Sequence, residues 1–380
     1  MKIKVLKIFF IFFILGFGIF FTYLYHLYTL KSVKVLNISE IDKLDIEGLG
    51  KHYKIPGFTY SVIKNGETII GDAYGYIYQD SDTKIKRDNY FQLGSCTKAF
   101  TGLMAARLVD NGSLSWDTNF FDLYLNWKEK SNSAYYSITL KDLLSHRAKI
   151  QPFTHNVVDS ELPLTSNNPL ERRLEFCKYV LSLDPVTEDA PYYSNAGYSL
   201  AGIMLEKVTG KSWEDLALQT ANEIGIKINF GRPNLLDTNQ PWGHKISWFR
   251  KLKPVPPYDD NKLPFVIAPA GDISMRISDM SKYIEVYLKG ISGMDDYIKS
   301  ETCNYLLFGI PEYSIGWCNN IDDGDTYALH GGSDGTYYSQ VTIYKDLKAA
   351  IIILTNAPDC KDTHHFINDL TNYLKGQYIN

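Results

Sequence analysis

Hydrophobic and polar positions change period several times along this chain, and each change marks an element. Residues Ile8 to Tyr25 form an uncharged run dominated by Phe, Ile and Leu, preceded by Lys2, Lys4 and Lys7. A run of that length predicts a helix that crosses a bilayer. No polar face interrupts it, as one would in a buried core helix. Signal-peptide cleavage wants small residues in an A-x-A-like arrangement, yet the first alanine is Ala73, and the first cysteine, Cys96, comes too late to carry a lipid. Residues 1–31 therefore read as an uncleaved signal anchor and 32–50 as a connector. Lys31 and Lys34 reduce the charge asymmetry, but the expected orientation still puts the body on the extracytoplasmic side of the cell membrane.

Beyond the connector, Phe58 to Lys64 and Glu67 to Tyr76 flank Asn65-Gly66, a dipeptide suited to the positive φ values of a type I′ hairpin turn. Phe100, Leu103, Met104 and Leu108 then recur at helical spacing and stop at Asn111-Gly112, and Tyr198 to Val208 does the same before Gly210. Lys251 to Pro264 is irregular and proline-rich. The end returns to strands, Tyr337 to Tyr344 and Ala349 to Thr355, followed by an amphipathic helix carrying Phe366, Ile367, Leu370, Tyr373 and Leu374. Strands at both ends predict one antiparallel sheet built from the two chain ends and flanked by helices, an α/β (α+β) class. A mostly helical subdomain, residues 100–265, would be inserted into a body of residues 51–380.

The 380 residues are 45% hydrophobic and 14% aromatic, enough for one large core or two lobes. A formal net charge of -4 with no long basic run sets nucleic acid aside as a partner. Five cysteines, at 96, 177, 303, 318 and 360, are an odd number without a C-x-x-C pair, and the eight histidines contain no H-E-x-x-H. No metal and no cofactor are expected.

Candidate chemistry begins with S-x-x-K, the minimal pattern for a lysine-activated serine, which occurs as Ser61-Val62-Ile63-Lys64 and Ser95-Cys96-Thr97-Lys98. In a strand, residues i and i+3 point to opposite faces, so Ser61 and Lys64 cannot meet. On a helix they share a face, so Lys98 can fold back toward Ser95 beside unpaired backbone N–H groups. From this segment alone, an N-cap serine with a solvated lysine remains an equal alternative. Of three Y-x-N triplets, Tyr193-Ser194-Asn195 lies in a turn entering a helix, where phenol and amide can both reach a cleft. His330-Gly331-Gly332-Ser333-Asp334-Gly335 precedes a strand, and its small residues suit close backbone approach or a simple turn.

In the order S-x-x-K, Y-x-N, H-x-G, these segments resemble the serine β-lactamase and penicillin-binding-protein superfamily. The likeness is to its class C-like branch of class C β-lactamases, D-alanyl carboxypeptidases, D-aminopeptidases and related esterases. FQLGSCTKAF from Phe91, LVDNGSLSWD from Leu108, YSNAGYSLAGIMLEKVTGKSWEDL from Tyr193, PAGDISMRISDM from Pro269, SIGW from Ser314 and LTN ending at Asn356 fall in the family's order, over residues 52–375. The resemblance implies an acyl-enzyme route in which Ser95 attacks a carbonyl while Lys98 and Tyr193 remove and relay its proton. It assigns Asn195 to the lysine amine and the substrate amide, His330, Gly331 and Gly332 to substrate orientation, and the backbone N–H groups of Ser95 and Ser333 to an oxyanion hole. Lysine and tyrosine ordinarily titrate near 10.4 and 10. Burial of Lys98 and positive charge near Tyr193 are therefore expected.

This chain departs from the family in three places. His330 stands where β-lactamases of this branch carry lysine, so carboxylate recognition should be weaker. Leu143 to Ile150, LLSHRAKI, replaces a common LLTHTSGL and exchanges its glycine for cations that are solvated or meet an anionic substrate. Glu223-Ile224-Gly225-Ile226 stands where relatives often read PLGM. The activity implied is a membrane-anchored serine hydrolase acting on an amide or ester bond of a peptide or small molecule, with a cell-wall D-amino-acid peptide as the leading substrate class. A weak β-lactamase and a non-catalytic penicillin sensor or binding module are the alternatives. The sensor reading is disfavoured by the short segment before the apolar run. Oligomeric state is left open.

Overall fold

Asn65 and Gly66 hold φ values of 54° and 83°, the paired positive angles that a type I′ turn requires. They join β1 (Gly57–Lys64) to β2 (Glu67–Gly75). The computed structural model describes residues 33–380 apart from 37–40, 42–43, 155–158, 248–250, 260–262 and 323. The expected anchor over 1–31 lies outside the described residues, among which no helix is long and apolar enough to cross a membrane. Residues 46–50, read as connector, instead open α1 (Ile46–His52), which Asp45 caps through Gly48 N.

Short strand β3 (Tyr90–Gln92) leads through a 3₁₀ turn, Gly94–Cys96, into α2 (Thr97–Asp110). After it come α3 (Leu140–Leu144), α4 (Pro169–Ser182), α5 (Asn195–Thr209), α6 (Trp213–Ile224) and β4 (Asn229–Phe230). Then β5 (Ile273–Arg276) runs into α7 (Ile277–Ile291) and α8 (Ser300–Phe308). Strands β6 (Cys318–Asp322), β7 (Asp325–Ser333), β8 (Tyr338–Tyr344) and β9 (Ala349–Thr355) and helix α9 (Lys361–Leu374) complete the order. The proline-rich stretch contributes Leu252–Pro254, which pairs with His244–Ile246.

The main sheet is antiparallel, ordered β2-β1-β9-β8-β7-β6, so the first and last strands of the body lie side by side. A small sheet, β3-β5-β4, sits apart. Period-2 alternation divides the main sheet between two cores. Phe58, Tyr60, Val62, Ile351 and Ile353 pack with Phe366, Ile367 and Leu370 of α9 and with Leu49 of α1. Ile63, Ile352 and Leu354 face the larger core with α2, α5 and α7. Helix α2 is buried on every side from Thr97 to Ala106, so it carries a lysine into a region of low dielectric.

Arg173 ties three helices together. Fully buried, it donates from Nη1 to Glu206 Oε1 of α5 at 2.5 Å and from Nη2 to Glu214 of α6.

Candidate active site

Ser95 occupies the 3₁₀ turn two residues before α2, so the serine precedes the helix instead of opening it. The turn still brings Lys98 Nζ to 3.1 Å from Ser95 Oγ. The other S-x-x-K pair lies in β1, where Ser61 Oγ accepts from Ser281 Oγ and Lys64 Nζ donates to Ile379 O.

Two glycines bring the end of β7 against the nucleophile turn. Gly94 holds φ 51°, and a Cβ there would stand 2.2 Å from Ser333 N. At Gly332 a Cβ would stand 2.1 Å from Leu93 O and 2.7 Å from Ser95 N. Gly332 of the third motif thus serves contact with the backbone of the Ser95 turn as well as the open cavity. Ser333 Oγ is occupied within its own turn, donating to Tyr337 O and accepting from Gly335 N.

Lys98 makes three polar contacts. Nζ lies 2.7 Å from Asn195 Oδ1, 2.9 Å from Ala270 O and 3.1 Å from Ser95 Oγ. Burial pushes its pKa well below 10.5, which favours the neutral amine. Ala270 O can only accept, and so can Asn195 Oδ1, whose identity follows from Nδ2 donating to Phe153 O at 3.0 Å. The two N–H bonds of a neutral amine satisfy those acceptors, and the lone pair is left for the Ser95 hydroxyl.

Tyr193 differs from expectation. Its hydroxyl is hydrogen-bonded to Ser95, but burial dominates and drives the phenol's pKa upward, while the Ser95 bond works the other way. Lys98 Nζ lies 4.6 Å from the Tyr193 ring centroid, but it is not among the causes of the phenol's shift. Against the expectation of an acidified phenol, burial outweighs its surroundings, and the phenol keeps its proton.

A cavity of about 980 Å³ opens here, with Ser95, Tyr193, Asn195, Gly331, Gly332 and Ser333 in its wall. His330 is outside that wall and only 3% exposed. Its Nδ1 lies 2.6 Å from Gly331 O and its Nε2 2.9 Å from the Tyr313 hydroxyl. Because the carbonyl can only accept, Nδ1 carries the proton and Nε2 accepts from Tyr313. Burial, with Lys98 close by, pushes its pKa down to about 3. His330 is therefore a neutral group behind the cavity wall, whereas its motif implies a residue that orients substrate. Asn195 is also partly committed, since Nδ2 already serves Phe153 O.

A β-lactamase family profile matches residues 43–370. The chain belongs to the β-lactamase family. Within the wider superfamily of serine β-lactamases and penicillin-binding proteins, Protein flp of Staphylococcus aureus (strain NCTC 8325 / PS 47) is 23% identical over 335 residues. That match covers 86% of this chain but 64% of flp, so the chain spans less than two thirds of that relative. Penicillin-binding protein 4 of Amycolatopsis lactamdurans is 23% identical over 347 residues, covering 87% of this chain and 88% of the relative. The octameric penicillin-binding protein homologue from Pyrococcus abyssi shares the fold, with a TM-score of 0.71 at 22% identity, over 89% of this chain and 78% of that one.

This β-lactamase-family chain holds its Y-x-N segment with a loop whose importance the sequence did not reveal. Tyr192 N donates to His146 O, Ser194 N to His146 Nδ1, Ser194 Oγ to Gln151 O and Asn195 N to Pro152 O. Lys149, where relatives carry glycine, keeps a left-handed φ of 54°. Arg147 is half-buried and donates to the carbonyls of Ser145, Tyr313 and Pro311. The carbonyl of Ala270 and the ring of His146 were also missed. A backbone acceptor has no residue-type signature, and His146 lies in a segment read as surface.

Proposed function

We propose that this β-lactamase-family protein is a serine hydrolase of the class C-like branch that cleaves an amide or ester bond through an acyl-enzyme. The observation that carries the reading is the Lys98 amine: buried, below its ordinary pKa, with two acceptors for its N–H bonds and its remaining side toward Ser95 Oγ. As Ser95 Oγ bonds to the substrate carbonyl carbon, its proton passes to Lys98. Backbone N–H groups of Ser95 and Ser333 take the oxyanion. Tyr193, still protonated, gives its hydrogen to the leaving nitrogen or oxygen and is reprotonated from Lys98. Water then attacks the ester, and the same groups act in reverse to release the acid and restore Ser95.

A D-amino-acid peptide of cell-wall origin is the proposed substrate class, with residues 1–31 as a membrane anchor and 51–380 as an extracytoplasmic catalytic body. The charge-free run Ile8 to Tyr25 supports the anchoring. The neutral, fully engaged His330 supports a preference for substrates other than carboxylate-bearing β-lactams. Labelling with a fluorescent β-lactam and a fluorophosphonate, wild type against Ser95→Ala, tests the chemistry. Label on wild type that is lost in Ser95→Ala is expected, and label that persists sinks the nucleophile assignment. Turnover of D-Ala-D-Ala peptides, D-amino-acid amides, short acyl esters and nitrocefin then ranks the substrate classes.

A further inference from the structure

One residue grips both neighbours of Tyr193 and takes no part in the proton transfers above. His146 accepts from Ser194 N at Nδ1, 3.1 Å, and from Tyr192 N at its own carbonyl, 2.8 Å. Its ring centroid lies 4.3 Å from that of Tyr193 and 4.4 Å from that of Tyr313. With Nδ1 accepting, the proton of the neutral ring sits on Nε2. That N–H is buried and has no hydrogen-bond partner among the described residues. The backbone also holds φ 60°, a left-handed conformation uncommon for residues that carry a side chain.

An orphaned buried donor and a left-handed backbone at one position both oppose stability, and such combinations collect where function requires a fixed geometry. A leucine or phenylalanine could fill the same space without an orphaned N–H, but neither offers an acceptor for Ser194 N.

We propose that His146 is a positioning residue for Tyr193, its Nδ1 fixing the Tyr193–Asn195 backbone so that the phenol meets Ser95 in a reactive geometry. The proposal rests on the acyl-enzyme reading. It requires that losing the acceptor slow acylation while leaving binding intact, since a misplacement of about 1 Å can cost on the order of 10²-fold in rate. His146 is not part of the cavity wall.

The test follows fluorophosphonate labelling of the full chain at increasing probe concentration, giving a maximal rate and a half-saturating concentration for wild type, His146→Asn, His146→Gly, His146→Phe and Ser95→Ala. Asparagine and glycine both tolerate the left-handed backbone, and only asparagine restores an acceptor near Nδ1. Glycine and phenylalanine are expected to lower the maximal rate about tenfold or more with half-saturation changed less than about twofold, and asparagine to stay within about threefold of wild type. Wild-type rates in the glycine or phenylalanine variant, or an asparagine variant as slow as glycine, overturn the proposal. Should a thermal melt show His146→Gly unfolded, the asparagine and phenylalanine variants decide by the same criterion. Label remaining on Ser95→Ala would instead remove the acyl-enzyme reading on which the proposal stands.

Discussion

Lys98 Nζ and Asn195 Oδ1 stand 2.7 Å apart although 97 residues separate them in the chain. The carboxamide is itself fixed, because Nδ2 donates to Phe153 O. Replacing Asn195 by leucine removes one of the two acceptors that hold the amine's N–H bonds. The expected outcome is a fall in acylation of about tenfold to a hundredfold, from a lost hydrogen bond worth about 1.5–3 kcal/mol if the amine charges. Stopped-flow labelling reads this directly, and an unchanged rate would show that Ala270 O alone orients Lys98.

The lowered Lys98 pKa sets the pH profile. Only the neutral amine can take the Ser95 proton, so acylation falls as pH drops through the lowered value and reaches its plateau well below pH 10.5. A rate still climbing near pH 10 would mean that the ammonium form persists in the fold.

Stability carries the same signature. Between the lowered pKa and 10.5, the unfolded chain binds a proton at Lys98 that the folded chain does not, so wild-type stability rises with pH across that window. Lys98→Met lacks this dependence. Denaturant melts at pH 7 and pH 10 should therefore show wild type gaining on the inactive variant; a constant gap contradicts the shift.

Arg173→Met leaves Glu206 and Glu214 without the cation between them. Removing one partner from a buried ion network costs about 3–5 kcal/mol. Burial already pushes the Glu206 pKa upward against the pull of Arg173, so that carboxylate has the most to lose. Urea melts measure the cost, and a change below about 1 kcal/mol would remove the network from the fold's supports.

His330→Lys restores the residue type expected at the third motif. The position faces Tyr313 behind the cavity wall, and a second amine beside Lys98 would be buried there. A lower melting temperature without faster nitrocefin turnover is expected. Faster turnover would show that a lysine at this position reaches the substrate.

Local chemistry was legible and long-range assembly was not. S-x-x-K is legible because its geometry is a property of four residues: one 3₁₀ turn brings Ser95 to Lys98 even though Ser95 precedes α2, and strand spacing separates Ser61 from Lys64. Asn65-Gly66 announced its turn for the same reason. His330 marks its motif, but whether its ring enters the cavity depends on packing by Tyr313 and Tyr193, which the motif does not contain. The sequence leads one to expect positive charge that would lower the pKa of Tyr193. Burial of the phenol itself, which the motif does not reveal, dominates instead and raises its pKa. Ala270, 172 residues from Lys98, contributes only a carbonyl, which every residue type has.

The sheet order has a consequence for synthesis. Because β1 is bordered by β9 and the nucleophile turn by the end of β7, the site is closed by residues translated long after Ser95, Lys98 and Tyr193. A nascent chain arrested before β7 already contains Ser95, Lys98 and Tyr193, yet has neither the strand that walls the cavity nor the Ser333 amide. On the acyl-enzyme reading, activity therefore has to await the synthesis of β7.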